Sequence, residues 1–218
     1  MIRYSRVPDQ PVTYSRVTEQ PASEPVSLSD AKVHLEYTGT AKNAYITSLI
    51  KSARRICEGY AGLSFVTQTR QIKMDVFPTS FIIVPYGPVQ SIDSFEYLND
   101  DGSTTVLTEG VDFEVDYHSS ICRIYPIDSE GEIDSWPTDV RSRPQAITIT
   151  YVAGYDEAVN EPLPELVKQA ILLQVASMFE NRQDEVAGSI NMMNWNTINW
   201  NSIHILDSIK VTWNANLD

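Results

Sequence analysis

The sequence predicts an α+β protein: a small helical bundle, a β-rich sandwich-like or barrel-like domain inserted into it, and an extended arm at each end. Helix-forming periodicity occupies residues 27–62, strand-forming alternation follows from 66 to 152, and a nearly all-apolar helical segment covers 163–183. Because helices and strands occupy separate stretches and do not alternate, this order is typical of the α+β class.

The first 26 residues contain a duplicated unit. Tyr4-Ser5-Arg6-Val7-Pro8-Asp9-Gln10-Pro11 recurs ten residues later as Tyr14-Ser15-Arg16-Val17-Thr18-Glu19-Gln20-Pro21. Its prolines exclude a continuous helix, and its length is too short for a solenoid repeat, which needs about twenty residues. We predict an extended arm. It is either a disordered tail or an arm that lies on a neighbouring subunit through Tyr4, Arg6, Tyr14 and Arg16.

The first helical stretch carries clear start and stop signals. Ser27 is a favourable N-cap, and Asp30 three residues later completes a capping-box-like start for a helix that runs to about Glu36. A second helix is predicted over 41–61, because its apolar residues recur with helical spacing. Gly62 is placed to end it.

The polar face of this second predicted helix carries a small basic stripe. Lys51, Arg54 and Arg55 form the stripe, and Glu58 lies beside them. A solvated helix face is the ordinary interpretation of such a stripe.

Residues 66–152 change to strand-forming alternation. A hairpin turn is predicted at Asn99-Asp100-Asp101-Gly102, because Asp-Gly supplies the positive φ that such turns need. Short strands at this spacing are typical of a small sandwich or barrel. The predicted strands cover 67–76, 81–84, 92–97, 104–107, 113–117, 121–125 and 146–152.

The last long helix is predicted at 163–183. Pro164 is tolerated in its first turn, and the residues after it are so uniformly apolar that we expect burial on more than one side.

Residues 184–218 form a second arm with a near repeat, Asn194-Trp195-Asn196-Thr197-Ile198 and Asn199-Trp200-Asn201-Ser202-Ile203. Tryptophan is enriched in interface hot spots. We therefore predict that this arm docks on a partner through its aromatic and aliphatic side chains, namely Trp195, Trp200, Ile203, Ile205, Leu206, Ile209, Val211 and Trp213.

The net charge of −13 is unevenly distributed along the chain. Residues 66–152 hold fourteen Asp and Glu residues against five Lys and Arg residues. A surface of this kind repels nucleic acid phosphates and anionic membranes. It either serves solubility or lets DNA pass without adhering.

Several sequence features predict a protein that is cytosolic when it is made. Cys57 and Cys122 lack the paired spacing of a disulfide framework, so we expect two buried thiols. The first residues lack the apolar region of an export signal, and no apolar run has the length of a membrane span.

The sequence contains no evident catalytic or metal-binding constellation. His34, His118 and His204 lie in separate segments without a partner at metal-ligand spacing. Phosphate-loop, nucleophile-elbow and Cys-His patterns are also missing from the sequence. Three alternating carboxylates could bind Ca²⁺ but lack the glycine-containing loop of calcium sites: Asp112, Glu114 and Asp116. We predict a protein that is not an enzyme and has no cofactor.

A series of short motifs over about residues 24–183 resembles one protein family. The chain is similar to the head–tail connector (adaptor, or head-completion) proteins of tailed bacteriophages and gene transfer agents, in the subtype with an inserted β-domain. Each motif is short, but no single structural rule would place all of them in this order. The motifs are Glu24-Pro25-Val26-Ser27-Leu28, Ala31-Lys32, Leu35, Ile46-Thr47-Ser48-Leu49-Ile50, Ala53-Arg54, Glu58-Gly59-Tyr60-Ala61-Gly62, Thr67-Gln68-Thr69, Phe77-Pro78, Val84-Pro85-Tyr86-Gly87-Pro88-Val89, Asp101-Gly102, Tyr151-Val152-Ala153-Gly154-Tyr155, Pro164, Lys168-Gln169-Ala170-Ile171 and Phe179-Glu180-Asn181-Arg182.

The resemblance implies a domain organisation and a role. The helical connector core would comprise 27–65 and 153–183, the inserted acidic β-domain 66–152, and the arms 1–26 and 184–218. Subunits would form a homo-oligomeric ring on the portal protein, twelve-fold by family resemblance. The ring would extend a channel that DNA crosses without sequence-specific binding, and it would offer a platform to a tail-side connector (a stopper or tail protein). The implied location is the head–tail joint of the virion, reached from the host cytoplasm during assembly, without a membrane partner.

Two alternatives remain open from the sequence. One is another virion ring protein, a stopper or tail terminator; such proteins are usually shorter and dominated by β-structure, so the predicted helix at 163–183 argues against them. The other is a carbohydrate-binding β-module, which would need Trp136, Tyr97, Tyr117 or Tyr125 to share an exposed face.

Overall fold

The computed structural model describes residues 14–119, 121–181 and 198–210. This part of the chain contains four helices and two antiparallel sheets, which confirms the predicted α+β class. The helices are α1 (Leu28–His34), α2 (Asn43–Ala61), α3 (Glu165–Glu180) and α4 (Trp200–Leu206). The strands are β1 (Tyr14–Glu19), β2 (Gln68–Met74), β3 (Ile82–Ile83), β4 (Val89–Leu98), β5 (Thr104–Leu107), β6 (Phe113–Asp116), β7 (Arg123–Pro126) and β8 (Ile147–Ala153).

The predicted helix boundaries have the expected physical causes. At the start of α1 the Asp30 backbone N–H donates to Ser27 Oγ over 3.1 Å, and this satisfies one of the N–H groups that a helix leaves unpaired. At the end of α2, Gly62 adopts the left-handed conformation with φ 70°, and its N–H donates to the Glu58 carbonyl. Both predicted caps are confirmed.

The helices share one hydrophobic core, in which α3 contacts each of the other three helices. This agrees with the burial predicted for more than one side of α3. Leu166 is an exception, because 52% of it is exposed. The fully covered apolar residues of this core include Ile46, Ala53, Cys57, Phe65, Val167, Ala170, Ile171, Val175 and Leu206.

The larger sheet has the strand order β1-β2-β8-β4-β5, and the smaller sheet has the order β3-β7-β6. Each predicted strand has a counterpart, with ends shifted by up to a few residues. Burial alternates along β2, which directs Ile72 and Met74 into a second hydrophobic core. The predicted turn joins β4 to β5, where the Gly102 N–H donates to the Asn99 carbonyl over 2.9 Å and Gly102 has φ 90°.

The duplicated N-terminal unit is where the structure departs most from the sequence prediction. Its second copy forms β1, which pairs antiparallel with β2 of the same chain from Tyr14 opposite Lys73 to Glu19 opposite Thr69. Tyr14 and Arg16 thus pair with a strand of their own chain. Because β1 is the outermost strand of the sheet, their contact with a neighbouring subunit stays a prediction. Tyr4 and Arg6 lie outside the described residues.

The sheet and the helices meet at a narrow junction. Gln68, at the start of β2, lies opposite Ala153, at the end of β8. Gly154 follows directly with φ 138°, and a Cβ atom there would overlap the backbone of Val66 and Thr67. Only glycine permits this approach. The two connections between the helices and the sheet, one before β2 and one after β8, therefore contact each other.

Candidate interaction surfaces

The described part of the C-terminal segment, residues 198–210, packs on the helices of its own chain. The Ser202 hydroxyl donates to the Ala170 carbonyl over 2.8 Å, and the Asn199 N–H donates to Gln174 Oε1 over 2.7 Å, so α4 is fixed along α3. Leu206 is fully buried in the helical core. The aliphatic residues Ile203, Ile205 and Ile209 are partly buried against the same core.

This packing bears on the predicted docking set, which stays a prediction. Four of its members serve the chain's own core, because the long apolar helix α3 offers them a complementary surface: Ile203, Ile205, Leu206 and Ile209. Trp200 has the exposure expected of a docking residue, with 67% of it accessible, and its indole meets the His204 ring edge-on at 4.6 Å between centroids. Trp195, Val211 and Trp213 lie outside the described residues.

Two contacts fix the last turn of α4 on the end of α2. The Tyr60 hydroxyl donates to Asp207 Oδ1 over 2.6 Å, and the Lys210 ammonium lies 4.1 Å from the centroid of the Tyr60 ring. The hydrogen bond to the Asp207 carboxylate raises the pKa of Tyr60. Together with the bonds to α3, these contacts make α4 an integral part of the helical bundle.

The predicted basic stripe is divided by the structure. Lys51 and Arg55 are exposed on α2, and Arg55 donates to Gln20 Oε1 over 2.8 Å. Arg54 is only 2% exposed, so its prediction as part of an open stripe is wrong. Glu58, placed on the same polar face from the sequence, is also buried.

Arg54 and Glu58 form a buried polar junction between three segments of the chain. Arg54 Nε donates to Glu24 Oε2 and its Nη1 donates to Glu58 Oε2, each over 2.7 Å. Glu58 Oε1 accepts from the Phe65 N–H over 2.8 Å and from Gln68 Nε2 over 2.9 Å. The junction joins the segment before α1, helix α2 and strand β2. Burial raises the pKa of Glu58, and the facing Arg54 opposes this shift.

The sequence did contain a signal for this junction. Arg54 and Glu58 are four residues apart on α2, the spacing of a helical ion pair, and Arg54 is adjacent to the apolar stripe at Ala53 and Cys57. The third participant, Glu24, is thirty residues away in the chain, and no periodic pattern connects it to the helix.

A second polar group holds the loop before β4. The Tyr151 hydroxyl donates to the Pro85 carbonyl over 2.6 Å, and the Ser64 hydroxyl donates to the Tyr86 carbonyl over 2.8 Å. The Arg70 guanidinium lies 3.6 Å from the centroid of the Tyr86 ring, a cation–π distance. Burial raises the pKa of Tyr151 to about 12.

The carboxylates considered for Ca²⁺ accept hydrogen bonds from their own turns. Asp112 Oδ2 accepts from the Thr108 N–H over 2.8 Å, and Asp116 accepts from the His118 and Ser119 N–H groups. Among the described residues, no group of three or more His, Cys, Asp or Glu side chains is arranged to hold a metal ion. None of the helices in this part of the chain has the length and apolar character needed to cross a membrane.

The aromatic residues proposed for carbohydrate binding do not form an exposed face. Trp136 and Tyr97 are each 5% exposed. Trp136 stacks on Phe77 at 4.9 Å between ring centroids, and its Nε1 donates to the Ser80 carbonyl. These rings therefore fill the β-core, and the premise of a sugar-binding platform fails for them.

Both cysteines are buried free thiols, as the sequence predicted. Burial raises the pKa of Cys57 to about 12, and burial does the same for Cys122. Since the thiolate is the reactive form, neither residue is suited to redox or nucleophilic chemistry in the folded protein.

No family model and no curated protein matches the chain. Solved structures of gene transfer agent (GTA) particles contain chains of similar fold, and three of these structures are described here. One is the neck of an empty GTA particle computed with C6 symmetry, with TM-score 0.65, 17% identity, and coverage of 91% of this chain and 96% of that chain.

The other two also come from GTA particles. For the virion of the native particle the TM-score is 0.66 at 17% identity, with coverage of 92% of this chain and 98% of that chain. For the neck of the native particle computed with C12 symmetry the TM-score is 0.65 at 15% identity, with coverage of 90% and 96%. In all three structures the similarity extends over at least 90% of this chain and at least 96% of the other chain.

Proposed function

We propose that this chain is a structural protein of the neck of a phage-like particle. The observation that carries the proposal is the shared fold with neck and virion chains of GTA particles over at least 90% of this chain. The order of connector-like motifs in the sequence supports the same role independently of the fold. The role is one of assembly, not of catalysis.

In its specific form, the proposal is a head–tail connector of the adaptor type. Its subunits form a ring, twelve-fold by family resemblance, on the portal protein. The ring extends the DNA channel and presents a platform to the tail-side stopper or tail protein. The helices would be the connector core, and the strands between α2 and α3 would be the inserted β-domain.

An exposed aromatic residue of α4 supports a docking surface in the C-terminal segment. Trp200 is 67% exposed although α4 itself is packed against α3. Burial of such side chains at an interface is favourable by roughly 2 kcal/mol each. We assign Trp200 as the anchor on the portal side.

The role is tested by electron microscopy of particles from a genome that lacks this gene. DNA-filled or leaking heads beside free, complete tails are the expected result, because the joint between them would be missing. Joined virions of normal appearance would contradict the proposal.

The docking surface requires a more selective test than removal of the arm. Deletion of residues after 185 would also remove α4 from the helical core, so lost binding could reflect unfolding. Trp200→Ala should instead weaken capture of the purified portal by at least tenfold without loss of fold, since a tryptophan anchor is a typical hot spot. Val33→Ala is the matched control, because Val33 is an exposed apolar residue on α1. Equal capture by the two variants would reject Trp200 as the anchor.

A further inference from the structure

The edge of β2 is occupied by the second copy of the duplicated unit through specific side-chain contacts. Arg16 Nη2 donates to Gln71 Oε1 over 2.7 Å. Thr69 Oγ1 donates to Glu19 Oε2 over 3.3 Å. Further along, Arg55 donates to Gln20 Oε1 over 2.8 Å. The rest of the chain thus contacts the unit through three of its side chains: the arginine, the acidic residue and the glutamine.

The first copy of the unit has the same groups at the same positions. Arg6 corresponds to Arg16, Asp9 to Glu19 and Gln10 to Gln20. The two copies are ten residues apart, an even number, and side chains alternate between the two faces of a strand. A shift of the paired segment by ten residues therefore directs each of these groups to the same face of the sheet.

The main difference between the copies is a proline in the first copy, and it falls at a position where the strand pairing is irregular. Where the second copy has Thr18, the first has Pro8. The pairing of β1 with β2 shifts between Val17 and Glu19, which makes Thr18 the extra residue of a β-bulge. Proline cannot donate to a sheet ladder and is accepted at bulges. Pro8 is thus compatible with the same backbone pairing, but it lacks the hydroxyl with which Thr18 donates to the Thr69 carbonyl over 3.2 Å.

We propose that the edge of β2 is a binding site for the duplicated unit, and that residues 4–11 of a second copy of this chain occupy it in exchange with residues 14–21. The exchange replaces one set of contacts by an equivalent set, as in domain swapping. Twenty residues separate Val7 from Ser27, the N-cap of α1, and an extended segment of that length spans up to about 65 Å. The first copy can therefore reach an adjacent subunit.

The occupant is a second chain and not the first copy of the same chain. Within one chain, the second copy is held beside β2 by a short connection that Arg55 and Arg54 anchor at Gln20 and Glu24. Its replacement by the first copy would only lengthen the connecting loop, which costs entropy without a new contact. Between chains the exchange makes the same contacts and links two subunits. Its cost is the entropy of association, which decreases as the protein concentration rises. This inference goes beyond the proposed neck function and does not depend on it.

Disulfide trapping in the full-length protein tests the exchange. Arg16 lies directly opposite Gln71, and opposite residues of antiparallel strands are about 4.5–5.5 Å apart between Cα atoms, within disulfide range. R16C/Q71C should close a disulfide within one chain, which confirms fold and register. R6C/Q71C should link two chains, in a reaction that increases with protein concentration. The native thiols are buried and should not contribute.

The matched control is S5C/Q71C, in which the cysteine of the arm is shifted by one residue and directed to the opposite face. On a non-reducing gel, R6C/Q71C should give at least tenfold more linked dimer than S5C/Q71C. An added peptide of residues 1–12 should reduce that dimer, and the same peptide with Asp9→Ala and Gln10→Ala should not, because Thr69 and Arg55, which contact the equivalent residues Glu19 and Gln20, remain in this variant.

Three results would overturn the proposal. Dimer yields equal for R6C/Q71C and S5C/Q71C would mean that the arm only collides with β2. A disulfide of R6C/Q71C confined to one chain would exclude the second copy as the occupant. Failure of R16C/Q71C to close would refute the register on which the inference is built.

Discussion

At the scale of single residues, Arg54 is the position most sensitive to substitution. It is buried and paired with two carboxylates, Glu24 and Glu58. Arg54→Ala would leave buried negative charge without a partner, and we expect the free energy of unfolding to fall by about 3–5 kcal/mol. Urea denaturation monitored by fluorescence would measure the change.

The neighbouring residue provides the control for this prediction. Arg55→Ala removes the same group from an exposed position on the same helix and should change the free energy of unfolding by less than about 0.5 kcal/mol. Similar losses for the two variants would mean that the ion pairs contribute nothing beyond ordinary surface contacts.

Tyr151 should make the protein sensitive to alkali. Its pKa is raised from 10.0 to about 12 by burial, so the unfolded chain releases this proton first as the pH increases. The contribution of neutral Tyr151 to the free energy of unfolding is present in full below pH 10 and is lost between about pH 10 and 12. Its magnitude is up to about 3 kcal/mol. The free energy of unfolding, measured at several pH values, should therefore decline less steeply for Tyr151→Phe.

Tyr125→Phe, a change at a half-buried tyrosine of β7, is the control and should retain the steeper decline. Part of the decline should persist in both variants, because Cys57 and Cys122 have pKa values raised from 9.0 to about 12. Parallel curves for the two variants would exclude Tyr151 as a source of the alkaline loss.

At the scale of elements, α4 has one residue that supports the core and one that is exposed for a partner. Substitutions of the two should therefore differ in their effect on the free energy of unfolding. Leu206 is fully buried in the helical core, so Leu206→Ala should lower the free energy of unfolding by about 2–5 kcal/mol. Trp200 is mostly exposed, and Trp200→Ala should cost less than about 1 kcal/mol. Thermal or urea unfolding of the two variants would measure this difference. A larger loss for Trp200→Ala would mean that the tryptophan supports the fold and is not reserved for a partner.

The elements also differ in how far the sequence determines them. The caps at Ser27 and Gly62 and the turn at Gly102 were predictable because each depends on a few adjacent residues. The surfaces on which β1 and α4 pack were not predictable. An extended or apolar segment has the same sequence pattern whether its own chain or another chain covers it. Arg54 was misplaced for a related reason: one of its two carboxylate partners, Glu24, is distant in sequence.

At the scale of the whole molecule, the acidic net charge predicts that the protein does not bind DNA. With a net charge of −13 there is no excess of cations to release counterions from the phosphate backbone. We expect no shift of duplex DNA in a gel at about 50 mM salt, even at micromolar protein. A shift that weakens with added salt would reveal a cationic surface and contradict this prediction.

The fold class followed from the sequence because helices and strands occupy separate stretches of the chain. The order of strands within the sheet did not follow. Alternation predicts that 147–153 is a strand, but it carries no information that this last strand lies between β2 and β4. That placement depends on pairing between distant segments, which a single sequence does not display.

The pairing of β2 with β8 has a consequence for how the chain folds. Helices α2 and α3 are separated by more than 100 residues, yet Gln68 and Ala153 are brought opposite each other at the foot of the sheet. Once that pair has formed, roughly twenty residues of connection remain, and the entropic cost of joining the helices falls by about 1.5 kcal/mol. The coupling is reciprocal, so formation of the helical core lowers the cost of pairing β2 with β8 by the same amount, and the sheet and the helical core should form cooperatively. On the ribosome, α2 and all the strands of the sheet are made before α3, the helix that covers α2.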